Sequence, residues 1–158
     1  MERAFSFFKD PDQDPGEPFK HSTFEGADVL FNVRNIPRTK EALFRRQAGV
    51  DDLPVQHGKH VVRGSKWREL ALLRGMYALR SVTNFPIKVA ESEMADELSK
   101  AFGTVIAAGQ TTKFSGVLSD AAKGTIFERF DPVLGFVLEC VDKIAEADAD
   151  AEATATKN

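Results

Sequence analysis

The period of the hydrophobic positions changes several times along the chain, and each change predicts an element. Val29, Phe31 and Val33 alternate with Asp28, Asn32 and Arg34. A repeat of two turns one face of an extended chain toward a core, so 28–36 predicts a half-buried strand that Pro37 ends. Glu25-Gly26-Ala27 is a turn sequence, and 19–24 before it supplies the second strand of a β-hairpin. Thr39 is the expected N-cap of a short helix over 39–48, which Gly49 stops. Another hairpin is predicted around His57-Gly58-Lys59, between 53–56 and 60–63.

From position 66 the period lengthens. Trp67, Leu70, Leu73 and Tyr77 recur at helical spacing, and Leu72, Met76 and Leu79 widen the apolar face. This predicts a helix over 66–82, capped by Ser65 and expected to be the most buried of the chain, until Asn84-Phe85-Pro86 breaks the pattern. A third helix begins near Ser92 with Glu93, Asp96 and Glu97 toward its positive end, and carries Met94, Leu98, Ala101, Phe102 and Val105 on one stripe. Residues 108–116 are polar and contain glycine, which predicts a loop; a fourth helix follows over 119–130, weakened by Gly124. Asp131-Pro132 is the sharpest start signal, with aspartate at the N-cap and proline at the first helical position. Val133, Val137, Cys140, Val141 and Ile144 then share a face, opposite Glu139, Asp142, Lys143 and Glu146.

The ends differ from this middle. Residues 1–18 combine Pro11, Pro15, Pro18 and Gly16 with acids around a Phe5, Phe7, Phe8 cluster, and 148–158 contain no large apolar residue. Both predict disordered acidic segments. The fold class expected is α+β: a single domain over 19–147, with small N-terminal hairpins packed on a mainly helical C-terminal part of four to five helices.

Composition narrows the chemistry. With 158 residues, 42% hydrophobic and 28% charged, the chain suits one domain that builds its own core. The single cysteine, Cys140, removes disulfide frameworks and CxxC motifs. No apolar run suits a signal peptide or a membrane span, so the expected compartment is the cytoplasm. No glycine-rich phosphate loop occurs. Asp10, Asp12 and Asp14 alternate as calcium ligands do, but Pro15 stands where the turn glycine belongs and His21 where the closing glutamate belongs. His57 and His60 lack two further zinc ligands, and Cys140 falls on an apolar stripe with no histidine near it. No catalytic, cofactor-binding or metal-ligating residue is therefore assigned, and the chain reads as non-enzymatic.

Charge supplies one candidate surface. Basic and acidic residues number 3 and 7 over 1–33, 11 and 4 over 34–80, and 7 and 13 over 81–158. Arg34, Arg38, Lys40, Arg45, Arg46 and Arg63 in the basic middle could line a face for phosphates, which makes a small regulatory or nucleic-acid-associated protein the alternative function. Against nucleic acid stand a pI near 5.7 and the placement of Trp67 and Tyr77 on an apolar helix face rather than as stacking platforms. Pairing of the basic middle with the acidic ends is the preferred reading.

The order of segments supplies the other. The path runs from Phe31-Asn-Val-Arg-Asn-Ile-Pro37 through Arg68-Glu-Leu-Ala-Leu-Leu-Arg-Gly-Met-Tyr-Ala-Leu79, then Leu118-Ser-Asp-Ala-Ala-Lys-Gly-Thr-Ile-Phe127 and Asp131-Pro-Val-Leu-Gly-Phe-Val137. Over 24–147 this layout resembles the small tail assembly chaperones of long-tailed bacteriophages and prophages. The resemblance implies a chaperone of virion assembly that keeps apolar helical stretches of the tape-measure protein soluble. The implied partners are that protein or another long helical tail protein, with the tail tube protein and a second copy of the chain as further partners. A helix-lined apolar groove could cover such stripes, and Phe85, Met94, Phe102, Phe114 and Phe127 are its candidate residues.

Overall fold

The computed structural model describes residues 10–21, 28–52, 55–56, 59–60 and 64–157. The fold is α+β, a four-stranded antiparallel sheet with five helices. Strand β2 (Leu30–Val33) lies where the alternation places it and pairs with β1 (Glu17–Phe19), Phe19 opposite Phe31. The first strand thus starts inside the stretch expected to be a disordered arm. Gly16 makes the approach: its φ is +83°, and a Cβ there would come within 2.8 Å of the Val33 backbone. Only glycine tolerates both conditions. The second hairpin is present as β3 (Val55–Gln56) and β4 (Lys59–His60).

Two strands correct the sequence expectation. Helix α2 (Gly64–Ala78) stops four residues short of Val82, and the chain passes directly into β5 (Leu79–Lys88), which runs through Asn84-Phe85-Pro86. Residues 108–116 are not a loop throughout, because β6 (Thr111–Val117) pairs with β5. The strand order is β1-β2-β5-β6. A bulge explains the misreading. Leu79, Val82 and Phe85 are buried at a spacing of three, which imitates a helix, because the β2–β5 register shifts between Leu79 and Ser81 and the β5–β6 register between Val82 and Phe85. Asn84 sits in the shift at φ 54°, with its N–H donating to Ser115 Oγ and its side-chain amide to the Asp28 carbonyl. Pro86 is tolerated because the last pair between β5 and β2 is Thr83–Leu30, so beyond it β5 has a single partner.

The helices pack around the sheet face that carries Phe31, Val33 and Val82. Helix α1 (Arg38–Ala48) ends at Gly49 in the left-handed conformation, as expected, but Pro37 holds its N-cap position and Thr39 lies inside the helix. Helix α3 (Ser92–Phe102) and helix α4 (Asp120–Arg129) follow the sequence pattern, with Ser119 accepting from the Ala122 N–H as the α4 cap. Val105 drops off the α3 stripe and is 86% exposed.

Helix α5 (Asp131–Lys157) begins at Asp131 itself, whose carboxylate pairs with Arg68 at 3.2 Å. The expected stripe is enclosed throughout: Val133, Val137, Cys140, Val141 and Ile144 are all buried. Helix α2 is not the most buried helix expected, since Trp67, Leu73, Met76 and Tyr77 on it are only partly covered. The backbone of α5 continues past Ala147 to Lys157. Gly75 lets α2 approach α5 and α4 closely; a Cβ there would collide with Leu134 and press on the Phe127 ring at 3.3 Å. Phe136 carries α5 onto the sheet, edge-on to Phe31 at 5.8 Å.

Candidate functional site

An open cavity of about 290 Å³ lies between the end of β5, α3 and α4. Met94, Leu98 and Phe102, four apart on α3, form one wall, because that spacing aligns side chains along a single helix face. Thr125, Ile126 and Arg129 of α4, followed by Phe130, form the other; Phe85 and the residues through Val89 form the floor. Ser119 fixes the angle between the walls: its hydroxyl donates to the Ala101 carbonyl near the end of α3 while it caps α4. Ser99 holds the chain after α3, donating to the Ala95 carbonyl at 2.7 Å and accepting from the Ile106 N–H at 2.9 Å.

Of the five apolar candidates, Phe85, Met94 and Phe102 come together in this groove. Phe85 and Phe102 are nearly enclosed, so they shape its depth, while Met94 remains partly open. Phe114 stands behind, edge-on to Phe102 with ring centroids 5.2 Å apart. Phe127 is 0% exposed and belongs to the core against Gly75 instead. Sequence reasoning missed the most accessible apolar residue of the groove lining, Phe130, which is 54% exposed. Its only signal was a large apolar residue at the junction between two helices. Lys88 and Arg129 on the lining were also missed: Lys88 is a lone charge between Ile87 and Val89, and Arg129 follows Glu128 at the end of α4.

The basic candidates have a different fate. Arg34 is 6% exposed; its Nε donates to the Tyr77 carbonyl at 2.8 Å, its Nη1 to the Asp12 carbonyl at 2.6 Å, and its guanidinium lies 3.9 Å above the Tyr77 ring. Lys40 faces Asp12 at 3.7 Å, and Arg45 binds Asp51 at 2.8 Å. Arg68 and Arg74 in the same segment pair with Asp131 and Glu41. Arg38 and Arg46 are exposed on α1, and Arg63 lies outside the described residues. The remaining acids of the suspected calcium run cap their own turns, Asp10 accepting from the Asp12 N–H and Asp14 from the Gly16 N–H.

Arg34 has a second role with Lys123. Helix α2 ends without a glycine cap, and its last carbonyls are satisfied from elsewhere. Lys123 Nζ donates to the Met76 carbonyl at 2.7 Å, Arg34 Nε to that of Tyr77, and the Arg34 N–H to that of Ala78 at 2.9 Å. These donors let a helix run straight into a strand. Burial, and then the Arg34 charge, pull the Lys123 pKa down to about 8. Burial, and then the Asp12 side chain, push the Tyr77 hydroxyl up to about 12. The Cys140 thiol is enclosed, and burial raises it to about 11, so it is no poised nucleophile. Among the described residues no group of three or more His, Cys, Asp or Glu could hold a metal, and no helix is long and apolar enough to cross a membrane. Comparison with family models, curated proteins and solved structures gives no match.

Proposed function

We propose that the chain is a non-enzymatic assembly chaperone of a long-tailed bacteriophage or prophage, acting in the host cytoplasm. It covers apolar helical stretches of the tape-measure protein and keeps them soluble while the tail is built. The observation that supports this reading best is the groove between α3 and α4, where Met94 and Leu98 are partly open and Phe130 is largely exposed beside a cavity of about 290 Å³. Two helices flanking an apolar trough suit a third helix laid along it. The segment order resembling tail assembly chaperones supplies the partner. The nucleic-acid alternative is weakened by the internal bonds of Arg34, Lys40, Arg45, Arg68 and Arg74, which leave fewer cations for phosphates.

Co-expression tests it. A tape-measure protein from the same genome is expected to stay soluble in the presence of this chain, in a complex that survives raised salt, since screening does not weaken apolar association. Phe130→Asp is expected to abolish that solubility with the chain still folded by thermal unfolding. Arg45→Glu with Arg46→Glu is expected to leave it intact. The opposite pattern, together with salt-sensitive RNA or DNA binding that the arginine variants lose, overturns the proposal in favour of the basic segment.

A further inference from the structure

We infer that the groove takes an acidic amphipathic helix, with an apolar side chain entering the cavity and a carboxylate one turn away meeting Lys88 and Arg129; this rests on the groove reading above and adds the chemistry of its occupant. The cavity, at about 290 Å³, falls just below the range for ligand pockets, which begins at about 300 Å³. It is therefore suited to anchoring side chains of a larger partner rather than enclosing a free ligand. Its walls are Met94, Leu98 and Phe130, and its only two charged lining residues are both cations. Lys88 and Arg129 are exposed, and neither has a carboxylate partner among the described residues. Lys40, Arg45, Arg68 and Arg74 all have one within 4 Å. Two unpaired cations beside an apolar trough attract a partner of the opposite sign and repel one rich in lysine. On a helix, positions one turn apart share a face about 6 Å apart. An anchor and its acid thus reach the cavity and its rim together.

Selection from a display library of randomised amphipathic helices about four turns long, carried out on the full chain, tests this. The expected winners carry Phe, Leu or Met with Asp or Glu one turn away. Lys88→Glu with Arg129→Glu, both exposed positions, is expected to weaken them at least about fivefold at low ionic strength. Winners that show no charge preference, or that ignore the double reversal, overturn the acidic occupant and leave the groove standing. Winners that bind the folded Phe130→Asp and Leu98→Asp chains as tightly as the natural one overturn the groove reading itself. Tight saturable binding of decanoate with no helix enriched overturns the helical occupant in favour of a small anionic amphiphile.

Discussion

The basic segment 34–80 and the groove between α3 and α4 differ in what their side chains have left to bind with. In the first, Arg34 is buried against Tyr77 and Asp12, and Lys40, Arg45, Arg68 and Arg74 face carboxylates of the same chain. In the second, Phe130 stays in solvent and Lys88 and Arg129 stand without acids among the described residues. A cluster of like charge in a sequence is thus a poor locator of a surface, because opposite charge elsewhere in the domain can neutralise it. Apolar residues that line one groove together, as Met94, Leu98 and Phe130 do, are the better pointer.

The largest expected effect tests where the groove stops and the core begins. Phe127→Ala should cost about 3–5 kcal/mol in urea denaturation, because the ring is enclosed against Gly75 and its removal leaves a cavity. A loss under about 1 kcal/mol would return Phe127 to the accessible surface. Next comes the pH dependence at Lys123. Its pKa is about 8 in the fold against an ordinary 10.5, so between those values the unfolded chain keeps a proton that the folded chain has released. Stability at this position therefore rises with pH across that window, by at most about 3 kcal/mol. Lys123→Met should lack the rise when the two proteins are compared by denaturation at pH 8 and above. Cys140 and Tyr77, whose raised pKa values act in the opposite sense, are shared by both chains and cancel in the difference.

Arg34→Met should cost about 2–3 kcal/mol through loss of the hydrogen bonds to the Tyr77 and Asp12 carbonyls. An unchanged denaturation midpoint would sever the basic segment from the core and restore it as a binding surface. The smallest effect sharpens the contrast from the other side. Arg46→Glu, on the exposed face of α1, should stay within about 0.5 kcal/mol of the natural chain.

Elements with a clean local period were readable. The α5 stripe is buried at all five of its expected positions, and Met94, Leu98 and Phe102 line one face of α3 as their spacing requires. Strand β6 was not readable, because on this edge strand only Phe114 is buried and the other residues look like loop. The end of α5 misled for a related reason: alanine sustains a helix by propensity after the apolar stripe is gone. In the groove, the sequence singled out Phe85, Met94 and Phe102 but could not tell depth from rim.

That division has a physical origin. Helical stripes, the Gly49 stop, the Ser119 cap and the alternation in β2 depend on residues a few positions apart, so the amino-acid order settles them before any packing. The bulge at Asn84 and the allocation of charge depend on segments far apart in the chain. Arg34 reaches residues 22 and 43 positions away, and Arg68 meets Asp131 across 63. Whether a cation is bound within the fold or left for a partner, and whether a phenylalanine fills the core or stands at a groove, depends on which distant residues arrive beside it. Chain order specifies that meeting only through the folded whole.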